Sequence, residues 1–323
     1  MTTTITPGRW RGLKTTSSDQ SIFTIVAFDQ RGSYRKMLPE NTTYNEAVRI
    51  KRTIVSALSV RASAFLLDAQ YGLHPALDMS GSCGLLLSYE KSGYTGDSTY
   101  RRVAFDPDWT LAKIKRVGAS AVKMLVYYHP DAGELADELD QLIANVANDC
   151  HQLDLPLFLE PMSYSIDATI GKDSDAFAKI RPQVVRDTAK RLSKAGADIL
   201  KLEFPHDAAF NQDLDEWRAA CEAISTDCAV PWVLLSAGVD FETFAQQAQI
   251  ACEAGASGFL AGRAIWKEAV TMTDAERAQF LEVTALPRLE QLITTAHDHA
   301  RPWSDFYSYE APSEEWFKTY AAD

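Results

Sequence analysis

Two lysines and a glutamate stand in three separate apolar runs of the chain: Lys123 in AVKMLVYY, Glu160 in LPLFLE and Lys201 in ADILKLEF. Burying a charge without a partner is costly, so charges in such runs belong either to an internal ion-pair network or to a site. In ADILKLEF, alternation by two places Ile199, Lys201 and Glu203 on one face, with Leu200 and Leu202 on the other. A lysine facing inward, desolvated or beside a second ammonium, can exist as the free amine that attacks a carbonyl. Lys123 would be that second ammonium, with Tyr127 on its face. Either lysine alone is explained equally well as the structural partner of a carboxylate. Together with Glu160 they make a Schiff-base set: an amine nucleophile, a group to move protons, and a positive charge to tune both.

A second group suits an anion. Ser236, Ala237 and Gly238 in LLSAGV, and Gly262 with Arg263 in AGRA, put small residues where two successive strands turn into helices. There backbone amides can approach a phosphate, the helix N-terminus favours negative charge, and Arg263 adds a planar charged fork. Small residues also serve simply to close a barrel, and only their pairing at both strand ends makes the signal specific. In FDQRG, Asp29 could serve a substrate hydroxyl or a lysine, and Gln30 and Arg31 either face the site or shape the loop. Glu90 and Lys91 in SYEKSGY (88–94) read as solvated loop charges.

These residues need a scaffold that gathers them. Eight short, nearly continuous apolar runs read as strands at 21–29, 62–68, 83–89, 119–128, 155–160, 197–204, 230–238 and 256–262. Helical patterns with charged faces separate them. KRVGASAVK, SKAGADILK and CEAGASGFL each close a helix with Gly and re-enter a strand through small residues. Eight strands in βα alternation predict an α/β fold, a closed (β/α)8 TIM barrel. No G-x-G-x-x-G follows the first strand, as an open dinucleotide-binding sheet would require. No linker divides the chain. The reading is one domain over 1–323, with the barrel at about 21–270 and a C-terminal helical extension and aromatic tail at 271–323. In such barrels the catalytic groups sit at the C-terminal strand ends, which is where every residue singled out above falls.

Composition narrows the partners. Among 323 residues, Lys+Arg 32 against Asp+Glu 44 leave a net charge of −12, which argues against nucleic acid. No apolar run is long enough to cross a bilayer, and the N-terminus lacks a signal-peptide core, so a cytoplasmic protein is expected. Five scattered cysteines and six histidines show no metal-ligand spacing, and no metal or cofactor is expected. Whether the tail packs on the barrel or on a neighbouring subunit of a homo-oligomer is open at this level.

The motifs AFDQRG, LLDAQYGL, GLLLSYEKSGY, VKMLVYY, LFLEPMSY, ILKLEFP, LLSAGV and AGRAIW resemble the class I tagatose-1,6-bisphosphate aldolase family, from about Phe28 to Trp266. The resemblance implies that Lys201 forms the Schiff base, Glu160 is the acid/base, Lys123 an auxiliary lysine and Asp29 a hydroxyl ligand. It implies that Ser236, Gly238, Gly262 and Arg263 hold the phosphate of a dihydroxyacetone phosphate half. The implied reaction is reversible, metal-free cleavage of D-tagatose 1,6-bisphosphate, with fructose 1,6-bisphosphate as a second substrate. PWVLLSAGVD and GASGFLAGRAIW are also similar to the related sulfofructose-phosphate aldolases, which release a sulfonated aldehyde. A non-catalytic sugar-phosphate-binding barrel is the alternative outside enzymes.

Overall fold

A computed structural model describes residues 2–91 and 102–320; residues 92–94 of SYEKSGY lie outside the described residues. Eight parallel strands close a barrel: β1 Phe23–Phe28, β2 Ala64–Leu67, β3 Gly84–Ser88, β4 Ala121–Tyr128, β5 Leu157–Ser163, β6 Ile199–Leu202, β7 Trp232–Leu235 and β8 Gly258–Ala261. Each pairs with its sequence neighbour, and β8 returns to β1 through Phe23↔Gly258 to Val26↔Ala261. Every predicted strand is present, at or close to its expected limits.

The helices begin where a side chain can satisfy orphaned backbone N–H groups. Thr43 and Glu46 form a capping box on Tyr44–Leu58, Ser174 caps Asp175–Leu192, and Asp240 caps Phe241–Glu253. Gly118, at φ +96°, ends Leu111–Val117 in the left-handed conformation that only a residue without Cβ adopts cheaply.

The pleat divides each strand between two environments. Val26, Phe28, Val122, Leu159 and Leu200 face outward into the main core beneath the helices. Phe23, Ile25, Leu86, Ala121, Phe158, Ile199, Val233 and Leu260 point inward and fill the lower barrel with an apolar plug. Two residues further along β4, β5 and β6, on the same inward parity, come Lys123, Glu160 and Lys201. The interior is therefore dry below and charged above, a layering set by period-two alternation.

The N-terminal end of the barrel is closed by segments whose roles are not evident in the sequence. Pro7–Thr16 is a helix, and Thr3–Thr4 pairs in parallel with Tyr307–Ser308 of the tail. Trp303 is fully buried, donates Nε1–H to Ser17 Oγ at 2.9 Å and meets Trp10 edge to face at 4.7 Å. Tyr307 donates its hydroxyl to the Asp198 carbonyl at 2.6 Å. This part of the tail packs on its own barrel. Among the described residues, no helix is long and apolar enough to cross a membrane.

Candidate active site

A cavity of about 320 Å³ opens at the C-terminal strand ends. Its walls include Asp29, Gln30 and Arg31 after β1, Glu90 after β3, Lys123 on β4, Glu160 on β5 and Lys201 on β6. Ser236, Ala237, Gly262 and Arg263 complete it from the β7 and β8 ends. The residues selected for the Schiff-base set and the anion wall thus converge on one space, except that Gly238 is not part of its walls and stands against the Arg263 guanidinium.

The charged groups form a continuous chain. Lys201 Nζ lies 2.9 Å from Glu160 Oε1, and Glu160 Oε2 lies 2.8 Å from Lys123 Nζ. The second contact is an ion pair without hydrogen-bond alignment. Lys123 also donates to Asp29 Oδ2 at 2.9 Å and to Glu90 Oε1 at 3.1 Å. Arg31 ends the chain, donating to the Glu90 carbonyl at 2.9 Å and to its carboxylate at 3.3 Å. Three cations and three carboxylates face one another, all of them buried except the partly exposed Arg31. Such a set tolerates burial only because every charge has an opposite neighbour.

The surroundings split the carboxyls. Burial by itself would raise the Asp29 carboxyl, but Lys123, Lys201 and Arg31 overcome that and hold it well below the usual range, so it stays ionised. Glu90 goes the other way: burial raises its carboxyl, and Lys123 and Arg31 only partly offset this, with Asp29 adding to the rise. A carboxylate held in its ionised form and one inclined to keep its proton therefore share one ammonium.

The opposite wall is built for an anion. The Ser236 hydroxyl accepts the Gly262 N–H at 3.2 Å, tying the β7 and β8 ends together. Ala237 and Gly238 take positive φ, +46° and +88°, turning the chain sharply after β7. A Cβ on Gly238 would sit 3.0 Å from the Arg263 guanidinium carbon, so glycine leaves room for that side chain. A Cβ on Gly262 would meet the Ala27 carbonyl at 2.9 Å. Backbone N–H groups, a hydroxyl and a guanidinium together can hold a phosphate.

Several charges at strand ends lie elsewhere. Glu203, which alternation puts on the Lys201 face, turns to Ser163 and Lys172, accepting from the Ser163 hydroxyl at 2.6 Å and from Lys172 at 2.7 Å. Beyond Leu202 the chain is no longer a strand, so the alternation stops governing direction. Asp68 pairs with the fully buried Lys51 outside the cavity. Lys91 is exposed, as a solvated loop charge would be, but Glu90 is not: it is 3% exposed and belongs to the charged chain. The signal for Glu90 is its parity. Leu86 and Ser88 point inward on β3, and Glu90 continues that series by one step. Among the described residues, no group of three or more His, Cys, Asp or Glu is arranged to hold a metal ion.

The model of the DeoC/LacD family aldolases matches residues 23–268, the whole barrel. A tagatose 1,6-diphosphate aldolase of Staphylococcus aureus (strain MSSA476) is 33% identical over 310 residues, covering 89% of this chain and 94% of that protein. Among solved structures, an archaeal fructose 1,6-bisphosphate aldolase is similar at 20% identity with a TM-score of 0.58, over 90% of this chain and 99% of that one. A fructose-bisphosphate aldolase from Plasmodium falciparum is similar at 15% identity with a TM-score of 0.65, over 93% and 98%. At these identities the two structures speak to the fold alone.

Proposed function

Because the chain belongs to the DeoC/LacD aldolase family, we propose that it cleaves D-tagatose 1,6-bisphosphate reversibly to dihydroxyacetone phosphate and glyceraldehyde 3-phosphate, through a Schiff base on Lys201. The observation that carries this reading is the Lys201–Glu160–Lys123 chain inside one cavity, facing the Ser236/Gly262/Arg263 wall.

In the proposed sequence, neutral Lys201 attacks the C2 ketone and gives a carbinolamine. Glu160, 2.9 Å from the Lys201 nitrogen, delivers a proton to the departing hydroxyl, and water leaves to form the iminium. The Glu160 carboxylate then takes the C4 hydroxyl proton as the C3–C4 bond breaks. The electron pair of that bond runs into the iminium, giving an enamine and the free aldehyde. Glu160 returns the proton to C3, and water hydrolyses the new iminium to dihydroxyacetone phosphate and free Lys201. Lys123 stabilises each anionic form of Glu160, and ionised Asp29 orients a substrate hydroxyl. Ser236, Ala237, Gly238, Gly262, Arg263 and Gln30 bind the phosphate end. The iminium nitrogen is the electron sink, so no metal enters the scheme. A phosphorylated sugar as the partner, without nucleic acid or membrane, and a cytoplasmic setting belong to the same reading.

Borohydride reduction in the presence of dihydroxyacetone phosphate tests it. The expected result is added mass on the peptide containing Lys201. Labelling on another residue, or turnover abolished by EDTA, overturns the scheme. Assay of tagatose 1,6-bisphosphate, fructose 1,6-bisphosphate and 6-deoxy-6-sulfofructose 1-phosphate in parallel tests the substrate; a clear preference for the sulfonate replaces the bisphosphate.

A further inference from the structure

We infer that Lys51, outside the cavity and apart from the scheme above, is a positioning residue: with Asp68 it holds the turn that aims Asp29 at Lys123. The inference rests on the proposed aldolase reading for its kinetic consequence.

Lys51 lies on the helix Tyr44–Leu58 and is fully buried. Its ammonium donates to the Phe28 carbonyl at 2.7 Å and to the Gln30 carbonyl at 3.2 Å, the residues on either side of Asp29. Its third partner is the Asp68 carboxylate, also fully buried. Asp68 Oδ1 in turn accepts the Gln70 and Tyr71 N–H groups, each at 2.8 Å. One ion pair therefore ties the chain leaving β1 to the chain leaving β2. The rings of Phe28, Tyr34 and Tyr71 lie 4.3, 5.2 and 5.6 Å from the ammonium and close the site to water.

A lysine is a costly way to fill that space if filling were its only task, since an apolar residue of similar length needs no counter-charge. What the ammonium supplies is donors to two carbonyls that point outward from the barrel. With both carbonyls held outward, the Asp29 side chain between them is left pointing inward, where its carboxylate meets Lys123 at 2.9 Å. Misplacement of a reacting or binding group by about 1 Å can cost on the order of 100-fold in rate.

The test removes both charges at once, so that neither is left buried and unpaired. Lys51→Met/Asp68→Asn is compared with the wild type, with Asp29→Asn, and with the combination of all three changes. The pair variant is expected to unfold cooperatively, to keep borohydride labelling of Lys201 with dihydroxyacetone phosphate, and to lose at least about tenfold in kcat/KM. Adding Asp29→Asn to it is expected to cost little more, because the same contact is already lost. A pair variant with wild-type kcat/KM, or losses that multiply with Asp29→Asn, overturns the inference. Multiplying losses are what a purely structural role predicts. If the methionine variant does not fold, Lys51→Gln/Asp68→Asn is read in the same way. Absence of labelling in the wild type would instead strike the aldolase reading, and the crystal structure of the pair variant then decides. Asp29 displaced from Lys123 supports the positioning role, and Asp29 unmoved refutes it.

Discussion

Lys201 and Glu160 face each other across adjacent strands, Nζ to Oε1 at 2.9 Å, because β5 and β6 pair Phe158 with Ile199 and Leu159 with Leu200. The same register carried one residue further sets the glutamate opposite the lysine, both on the inward parity. A shift of one residue would put one of them on the outer face. The contact that matters most for chemistry is thus a consequence of strand pairing.

Glu160→Gln preserves shape and removes the ionisable carboxyl that gives and takes the proton. Its kcat is expected to fall by roughly 10²- to 10⁴-fold, with a smaller change in KM, as for loss of a general acid–base. Steady-state kinetics with tagatose 1,6-bisphosphate checks this; a change confined to KM would show that Glu160 only binds.

Lys123→Met leaves Asp29, Glu90 and Glu160 clustered without the ammonium they share. Breaking a buried network from one side costs about 3–5 kcal/mol, so the variant should show a clearly lowered denaturant midpoint. A midpoint equal to that of the wild type would mean that the carboxyls take up protons freely in its place.

The held-down carboxyl of Asp29 makes stability depend on acid. Its folded value lies below the ordinary 3.8, so its contribution is fully present above that pH and is lost as pH falls from there toward the folded value. Asp29→Asn should therefore flatten the decline of stability with acid below about pH 4, measured by urea unfolding at a series of pH values. An unchanged slope would contradict the pairing with Lys123.

Gly238→Ala forces a side chain onto a residue at φ +88° and sets Cβ 3.0 Å from the Arg263 guanidinium carbon. Strain of about 1 kcal/mol and a displaced guanidinium predict a raised KM for phosphorylated ketones, with kcat changed less. Inhibition by inorganic phosphate should weaken in parallel.

Trp303→Ala empties the fully buried site beneath the barrel floor. A loss of about 3–5 kcal/mol is expected, typical of truncating a large aromatic in a core. Because Trp303 lies at the end of the barrel away from the cavity, Lys201 labelling in the folded variant should be unchanged.

Strands, order and closure were legible because burial on both faces leaves an unmistakable apolar run, and eight such runs separated by helices have few closed solutions. Lys123, Glu160 and Lys201 could be assigned inward because each sits within a strand, where direction follows from counting by two. The same counting failed at Glu203, one residue past the end of β6, and would have succeeded at Glu90 had the inward parity of β3 been extended beyond Ser88. The helix Pro7–Thr16 and the tail gave little signal, since their contacts run over nearly the full length of the chain, as from Ser17 to Trp303.

What the sequence determined by itself is therefore the barrel and the inward parity of its reactive groups, since both depend on local pattern. Only the tertiary structure decided which charges meet. It linked Lys201, Glu160, Lys123, Asp29, Glu90 and Arg31 into one chain, sent Glu203 to Lys172, and set Lys51 behind Asp29. Those pairings depend on strand register, on loop direction and on the exclusion of water from a closed interior, and none of these is a property of any short stretch of chain.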